Sequence, residues 1–249
     1  MKKIILDKLK ALEHDSDVKI LLACESGSRA WGFASPDSDY DARFIYVHKK
    51  DFYLSIDERP DVLGLPIDAV LDIGGWGLRK ALRLFRKSNA PLYEWLQSPV
   101  VYTADDDFVA DMKALMAHYF SPRAAMHHYL SMAKGVVEYE LGAPEVRLKK
   151  YFYALRPLLA ARWIAECGTV PPIAFSQLRV LLPATLNGIV DDLLYQKAAA
   201  REGDTIAPVQ ALNEYLLGEV ALLKQAVPPV TEPVATSEPL HTLFRKYVV

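Results

Sequence analysis

A polar segment between two apolar runs constrains this chain more than any other feature. The apolar run at residues 20–23 leads into a Gly-Ser turn, Gly27-Ser28, and a short polar loop then precedes Asp39 and Asp41. A second apolar run follows directly. Because side chains alternate along a strand, we expect the two aspartates to point the same way.

Two carboxylates on one face, close to a glycine-containing turn, are typical of a site for a divalent metal that carries phosphates. Mg²⁺ commonly binds one or two carboxylates together with phosphate oxygens and water. Backbone amides at such a turn can bind the negative charge of a phosphate. The segment therefore predicts a metal-dependent nucleotidyl-transfer site.

The same residues also carry a family resemblance. A Gly-Ser pair followed, after about ten residues, by Asp-x-Asp resembles the signature of the DNA polymerase β-like nucleotidyltransferase superfamily. The fuller match looks like one branch of it, the uncharacterised predicted nucleotidyltransferases, some of which are associated with RNA repair. Five segments carry this match: 27–32, 38–43, 72–82, 88–89 and 94–99. It spans roughly residues 20–102, and a fainter likeness extends over residues 149–156.

The resemblance implies roles for the motif residues. Asp39 and Asp41 would hold one or two Mg²⁺ or Mn²⁺ ions, which bridge a nucleoside triphosphate and the attacking hydroxyl. Ser28 and the backbone of Gly27 would hold phosphate oxygens. The acceptor of the nucleotidyl group stays open, because an RNA end, a protein hydroxyl and a small molecule all suit the same metal site.

A third carboxylate is expected from a neighbouring strand. Asp68 and Asp72 are four residues apart and share a face if both lie in one strand; Asp72 is favoured because it lies in a matching segment. Three basic residues complete the predicted nucleotide site. Arg43 either contacts phosphate or holds the carboxylates in place, and Arg29 either reaches the triphosphate or is a surface charge. Lys80 contacts the ligand only if its flank of a predicted amphipathic helix borders the cleft.

One position departs from the family pattern, and it leaves an alternative function open. The branch has an acidic residue where this chain has Gly77. We interpret that acid as a helix cap, whose loss costs about 1 kcal/mol or less. If it serves the metal or the acceptor instead, the protein is a nucleotide-binding regulatory or partner-binding protein without turnover. A remote alternative is a helical ribonuclease that uses Arg123 and His128, whose spacing matches a short motif of such enzymes.

Composition narrows the remaining possibilities. The chain has 249 residues, 51% of them hydrophobic, which is enough for a substantial core. A net charge of −2 argues against broad electrostatic binding of nucleic acid but allows a local basic cleft. The two cysteines have no metal or disulfide spacing and are expected to be reduced and buried. No apolar run approaches the roughly 20 residues of a membrane span, so we expect a cytoplasmic protein without a membrane partner.

The apolar periodicity predicts an α+β fold, with a small mixed-sheet nucleotidyltransferase domain at residues 1–102 followed by an all-helical bundle at residues 103–249. In the first domain the pattern predicts helices at 2–14, 76–87 and 91–97, strands at 18–25, 40–48 and 67–73, and a loop or hairpin at 51–66. In the second it predicts helices at 105–118, 122–140, 145–166, 186–200 and 208–226. Pro157 is expected to kink or end the third of these, and residues 227–239 are expected to be extended.

Overall fold

The computed structural model describes residues 1–68, 70–229 and 236–248. They form two compact units, each built from separate stretches of the chain. The first unit comprises Met1–Ala30, Asp39–Tyr119 and the described part of Pro233–Val249; the second comprises Trp31–Ser38 and the described part of Phe120–Glu232. The boundary predicted at residue 102 stays a prediction; it differs from these units, which interleave along the sequence.

A five-stranded mixed sheet is the centre of the first unit. Its strands are β1 (Val18–Glu25), β2 (Tyr40–His48), β3 (Val62–Gly64), β4 (Leu71–Gly77) and β5 (Val101–Ala104), in the spatial order β3-β4-β2-β1-β5. Strands β2 and β4 are parallel, and the other neighbouring pairs are antiparallel. The structure therefore confirms the mixed sheet that was predicted as part of an α+β fold. The parallel register places Asp41 opposite Asp72.

Helices cover the sheet and form most of the second unit. In the first half of the chain they are α1 (Lys2–Ser16), α2 (Gly27–Trp31), α3 (Lys50–Leu54), α4 (Leu78–Arg86), α5 (Ala90–Trp95) and α6 (Asp106–Tyr119). The later ones are α7 (Pro122–Tyr139), α8 (Leu148–Cys167), α9 (Phe175–Leu178), α10 (Ala184–Ala199), α11 (Gln210–Gln225) and α12 (Glu238–Tyr247). A two-residue ribbon in the second unit pairs β6 (Val146–Arg147) with β7 (Thr205–Ile206). Within the described ranges, no helix has both the length and the apolar character needed to cross a bilayer.

Helix α1 covers the sheet with one apolar stripe. Ile5, Leu9 and Leu12 recur at the spacing of one helix face, and all three are buried in a core shared with β1, β2 and β4. Asp17 ends the helix in the left-handed conformation, with φ of 47°, and β1 begins at the next residue. The local sequence therefore determines both the helix and the turn into the first strand.

A buried ion pair organises part of the second unit. Lys197, only 2% exposed, donates through Nζ to Ser35 Oγ at 2.8 Å and pairs with Glu202 at 3.4 Å. Glu202 also pairs with Lys149 at 2.8 Å and accepts a hydrogen bond from Ser38 Oγ. Burial lowers the pKa of Lys197. This network fixes the short segment that precedes Asp39 in the chain.

The third predicted strand is displaced along the sequence. β4 begins at Leu71 and not at residue 67, because the Asp68 carboxylate accepts hydrogen bonds from the amides of Val70 and Leu71 and so forms a turn before the strand. The expectation that Asp68 and Asp72 share one strand is therefore wrong. The strand continues to Gly77, so α4 begins at residue 78 and not at 76. A Cβ at Gly75 would lie 2.4 Å from the Phe44 ring, which explains a glycine inside a buried strand.

Other local predictions also need correction. The segment predicted as a loop or hairpin at 51–66 contains all but the first residue of α3, together with the strand β3. The elements that were not predicted are α2, α9, α12, β5 and the β6–β7 ribbon. Helix α8 continues through Pro157 to Cys167, so the proline does not end it. Cys167, at the end of that helix, is exposed, whereas Cys24 is buried as expected. Of the predicted extended stretch 227–239, residues 230–235 lie outside the described residues and the last two belong to α12.

Candidate active site

The Gly-Ser turn lies directly against the second aspartate of the Asp-x-Asp motif. Gly27 begins α2 with φ of +61°, a conformation that favours glycine, and a Cβ there would lie 2.3 Å from Asp41 Oδ2. The Ser26 amide donates to the Asp41 carbonyl at 2.8 Å. Ser28 is buried in the first turn of α2. The two parts of the motif, ten residues apart in the sequence, are thus in contact.

Arg43 joins the carboxylates of two neighbouring strands. Its Nη2 donates to Asp41 Oδ1 at 3.0 Å and to Asp72 Oδ2 at 2.6 Å, and its Nη1 donates to the Asp72 carbonyl at 3.0 Å. All three side chains are partly buried. Of the two roles that the sequence left open for Arg43, the structure shows the one in which it holds carboxylates in place. It also brings Asp72, and not Asp68, to Asp41.

The electrostatics of Asp41 reflect this crowding. Burial raises the pKa of the Asp41 carboxyl most strongly, and the negative charges of Asp39 and Asp72 raise it further. Arg43 opposes these effects and lowers the pKa. Because the carboxylates outnumber the guanidinium between them, a further cation at this position would be favourable.

Glu25 is a site residue that the sequence interpretation missed. It is the last residue of β1 and is only 1% exposed. Its Oε1 accepts from the Asp41 amide at 2.8 Å, and the Tyr102 hydroxyl donates to Oε2. Burial raises the pKa of the Glu25 carboxyl. Its position at the end of an apolar strand, two residues before Gly27, is the sequence signal that could have identified it.

Asp39 and Arg29 lie at the exposed side of this arrangement. Asp39 precedes β2 and is exposed, and its charge contributes to the raised pKa of Asp41. Arg29 donates through Nε to the Asp39 carbonyl at 3.0 Å, and its guanidinium lies 3.7 Å from the centre of the Tyr40 ring. Arg29 is therefore fixed beside the Asp-x-Asp motif by backbone and aromatic contacts.

Lys80 is not brought to the carboxylates. Its Nζ pairs with Asp61 at 2.9 Å. Helix α4 begins after Gly77, which is five residues along β4 from Asp72, a distance of roughly 16 Å. Gly77 is the N-cap of α4 and makes no side-chain capping hydrogen bond. A Cβ at Gly77 would meet nothing closer than 3.5 Å, so a capping acid fits there, as the helix-cap interpretation requires.

Nowhere in the described part of the chain do three or more Asp, Glu, His or Cys side chains form a group that could hold a metal ion. Asp41 and Asp72 form a pair with a guanidinium between them, and Asp39 is exposed beside it. The three-carboxylate metal site expected from the sequence therefore stays a prediction. Two of its three carboxylates, those of Asp41 and Asp72, lie next to each other in the structure.

The two residues of the ribonuclease alternative lie on different sides of one helix. Arg123 and His128 both lie on α7, where a separation of five residues places them roughly 140° apart around the helix axis. Arg123 Nη1 instead donates to the Pro228 carbonyl at 2.8 Å. The geometry gives this alternative no support.

Comparisons with known proteins agree with the motif resemblance. A family model described as "RNA repair pathway DNA polymerase beta family" matches residues 1–246. A protein of Bacillus subtilis (strain 168), described as the uncharacterized protein YcgL, is 46% identical over 228 residues, which cover 91% of this chain and 88% of that protein. A nucleotidyltransferase-like protein from Exiguobacterium sibiricum 255-15, known from a crystal structure, is 13% identical, with 97% of this chain and 80% of that chain covered. Its TM-score of 0.31 is too low to support a conclusion. The family match extends over almost the whole sequence, and this chain therefore belongs to the RNA repair pathway DNA polymerase β family.

Proposed function

We propose that this protein is a metal-dependent nucleotidyltransferase that moves a nucleoside monophosphate from a nucleoside triphosphate to a hydroxyl acceptor. Family membership supports nucleotidyl transfer in general. The observation that carries the finer proposal is the contact between the Asp41 carboxylate and Gly27, with Asp72 opposite on the neighbouring strand. This contact joins a phosphate-binding turn to a carboxylate pair.

The carboxylate oxygens of Asp41 and Asp72 are the type of ligand atom that Mg²⁺ or Mn²⁺ binds. A single nitrogen of Arg43 is within 3.0 Å of both carboxylates, so one positive group can be shared by Asp41 and Asp72. Carboxylate oxygens are the ligands that Mg²⁺ prefers, and one or two are sufficient when phosphate oxygens complete the coordination. Asp39 is exposed beside this pair and would add a third carboxylate only after its side chain turns toward the metal. Bound there, the metal would stabilise the charge of the attacking and leaving oxygens.

The surrounding residues have separate tasks in this proposal. Ser28 and the first amides of α2 bind phosphate oxygens of the triphosphate, and Arg29 adds positive charge beside them. Arg43 offsets the repulsion between the two carboxylates until the metal–nucleotide complex binds. Glu25, through its hydrogen bond to the Asp41 amide, fixes the backbone that carries the principal carboxylate.

The test follows the label of an α-labelled triphosphate. The protein is incubated with Mg²⁺ or Mn²⁺ and each of the four triphosphates, in the presence of RNA, protein or small-molecule acceptors, and RNA is the first acceptor class to examine because of the family description. Asp41→Asn and Asp72→Asn should each lower transfer at least about a hundredfold, since each removes charge that holds the metal. Asp107→Asn, the same change at an exposed position in the first turn of α6, is the matched control. Full transfer by both site variants would refute the assignment.

One observation favours a second candidate, a nucleotide-binding protein without turnover. Arg43 already neutralises part of the charge that a metal would need, and its hydrogen bonds to both carboxylates must break or rearrange before a metal binds between them. Calorimetric titration with a non-hydrolysable triphosphate separates the two candidates. Binding of the analogue that depends on Ser28, together with no labelled product from any acceptor class, would favour the second.

A further inference from the structure

A second cleft lies at the other end of the sheet from the carboxylates. It has a volume of about 220 Å³ and lies beside the end of β2, the segment 55–61 and the start of α4. We call it the β2–α4 cleft. The residues that line it include Tyr46, His48, Phe52, Arg59, Arg79 and Arg83. Tyr46 is five residues beyond Asp41 on β2, roughly 16 Å away, so the cleft is separate from the carboxylate pair.

Tyr46 presents an unsatisfied hydrogen-bonding group to this cleft. Its side chain is 0% exposed, and its hydroxyl has no hydrogen-bond partner among the described residues. Burial raises the pKa of the Tyr46 hydroxyl, which therefore stays protonated and able to donate. The hydroxyl lies 3.5 Å from where a Cβ of Gly77 would be, beside the N-cap of α4. A buried donor without a partner is unfavourable, and an acceptor atom of a ligand would satisfy it.

The start of α4 offers further donors at the same place. The first amides of a helix have no acceptor within the helix, and the helix dipole favours an anion there. Gly77 supplies no capping side chain, and no acidic residue lies in the first turn of this nine-residue helix. Tyr46 and the α4 terminus are therefore two independent observations that indicate an anionic group.

Arginines of α4 supply positive charge to the same cleft. Arg79 and Arg83 follow at the spacing of one helix face, and the adjoining groove is lined by both of them together with Arg86. The cleft and the groove together therefore have room for a ligand that is larger than one small anion. Phosphate is the anion that this combination of arginines and helix amides binds best.

Carboxylates restrict the charge of the ligand. Asp57, Glu58 and Asp61 also line the cleft. Lys80 neutralises Asp61 at 2.9 Å, but Asp57 and Glu58 are exposed and lie outside that ion pair. They oppose a highly charged triphosphate more than a single phosphate group.

Aromatic rings also line the cleft. The rings of His48 and Phe52 stack with centroids 3.6 Å apart and an interplanar angle of 10°. The guanidinium of Arg59 lies 5.2 Å from the Phe52 ring, and that of Arg79 lies 4.8 Å from the Tyr53 ring. Aromatic rings and guanidinium planes are the groups on which nucleobases stack.

We propose that the β2–α4 cleft binds a nucleoside monophosphate unit, with its phosphate at the N-terminus of α4 and its base against the aromatic rings. The unit is either a free nucleotide or one nucleotide of an RNA strand, which present the same chemistry. The proposal does not depend on nucleotidyl transfer at the carboxylates.

Calorimetric titration of the whole protein in EDTA tests the proposal with AMP, adenosine and a short single-stranded oligoadenylate as probes. AMP should bind at least about tenfold more tightly than adenosine, because the phosphate carries the recognition. An oligoadenylate that binds about tenfold more tightly than AMP identifies an RNA strand as the ligand. Equal affinities identify the free nucleotide. Either result supports the site.

Variants separate this site from the rest of the protein. Tyr46→Phe removes only the unpartnered hydroxyl, keeps the fold, and should weaken AMP binding about tenfold. Gly77→Asp places a carboxylate where the phosphate would bind and should weaken AMP binding by at least as much. Arg201 is exposed and lies outside the cleft, so Arg201→Gln should leave the affinity for AMP within about twofold of wild type. The Asp41→Asn variant should bind AMP like wild type even if transfer is lost. No binding of AMP or oligoadenylate by wild type, equal binding of AMP and adenosine, or unchanged affinity in both Tyr46→Phe and Gly77→Asp would overturn the proposal.

Discussion

The substitution Gly27→Ala tests the contact on which the candidate site depends. It introduces a Cβ at a position with φ of +61°, 2.3 Å from Asp41 Oδ2. Two costs follow, one from the backbone conformation and one from the displaced carboxylate. They can be separated because only the second depends on Asp41.

The magnitudes follow from the geometry. A non-glycine residue in the left-handed region costs about 1–2 kcal/mol. To restore a separation of 3.0 Å the carboxylate oxygen must move by roughly 0.7 Å, which costs about 0.5–1.5 kcal/mol in side-chain strain. Weakening the Arg43 hydrogen bond adds up to about 1 kcal/mol. We therefore expect Gly27→Ala to destabilise the sheet by about 1.5–4.5 kcal/mol, of which about 0.5–2.5 kcal/mol belongs to the contact with Asp41.

A double-mutant cycle with Asp41→Ala measures the contact alone. The backbone strain is the same in both backgrounds and cancels, so the double variant should be about 0.5–2.5 kcal/mol more stable than the sum of the single changes predicts. Hydrogen exchange of the β1 and β2 amides gives the free energy of opening of this sheet directly. Gly168→Ala, at φ of +67° with nothing within 4 Å of the new Cβ, supplies the cost of strain without a contact when exchange is followed at the amides of α8, which Gly168 caps.

If the free-energy changes of Gly27→Ala and Asp41→Ala add within about 0.5 kcal/mol, the two residues are not in contact. The Asp41 carboxylate would then not lie against the Gly-Ser turn, and the proposed function would lose the observation that carries it.

Three further predictions concern charge. In Glu25→Gln the amide oxygen still accepts from the Asp41 amide, and the side-chain NH2 donates to the Tyr102 hydroxyl oxygen in place of the bond that Glu25 accepts from it. The change removes a carboxylate whose pKa burial raises. Measured by urea denaturation, the stability of the variant relative to wild type should therefore grow as the pH rises from 4.5, the ordinary pKa of Glu, to the raised pKa of the folded protein. Arg43→Gln leaves two carboxylates to repel each other and should cost about 1–3 kcal/mol, part of which millimolar Mg²⁺ restores in thermal melts. Glu202→Gln should cost about 3–5 kcal/mol, because it leaves the buried ammonium of Lys197 without its carboxylate. Lys197→Met should cost less, because Glu202 then still pairs with Lys149.

Each of these predictions has a result that would contradict it. A difference between Glu25→Gln and wild type that stays constant with pH would mean that Glu25 has an ordinary pKa in the fold. A melting temperature of Arg43→Gln that does not respond to Mg²⁺ would argue against a cation at the carboxylate pair. Equal costs for the changes at Lys197 and Glu202 would mean that the ammonium finds another partner or loses its proton.

Local signals in the sequence predicted much of the fold. The bounds predicted for the first two strands, 18–25 and 40–48, agree with the structure, because each is an apolar run between a turn and a polar segment. Most helices agree within a few residues for the same reason: helical periodicity is a property of neighbouring residues. The position of β4 was wrong, since Gly74 to Gly77 favour neither strand nor helix by themselves. Their extended conformation depends on pairing with β2 and on the space that Gly75 leaves for Phe44.

The sequence by itself was enough to identify the family, because Gly27-Ser28 and Asp39-Tyr-Asp41 are local patterns of neighbouring residues. Only the tertiary structure decided which further groups meet them. Asp72 reaches Asp41 through the register of two strands that are distant in the sequence, and Arg43 binds both across that pairing. Glu25 acquires its role from hydrogen bonds between three strands. Such contacts depend on the folded arrangement of the sheet, and no local pattern of residue types encodes them.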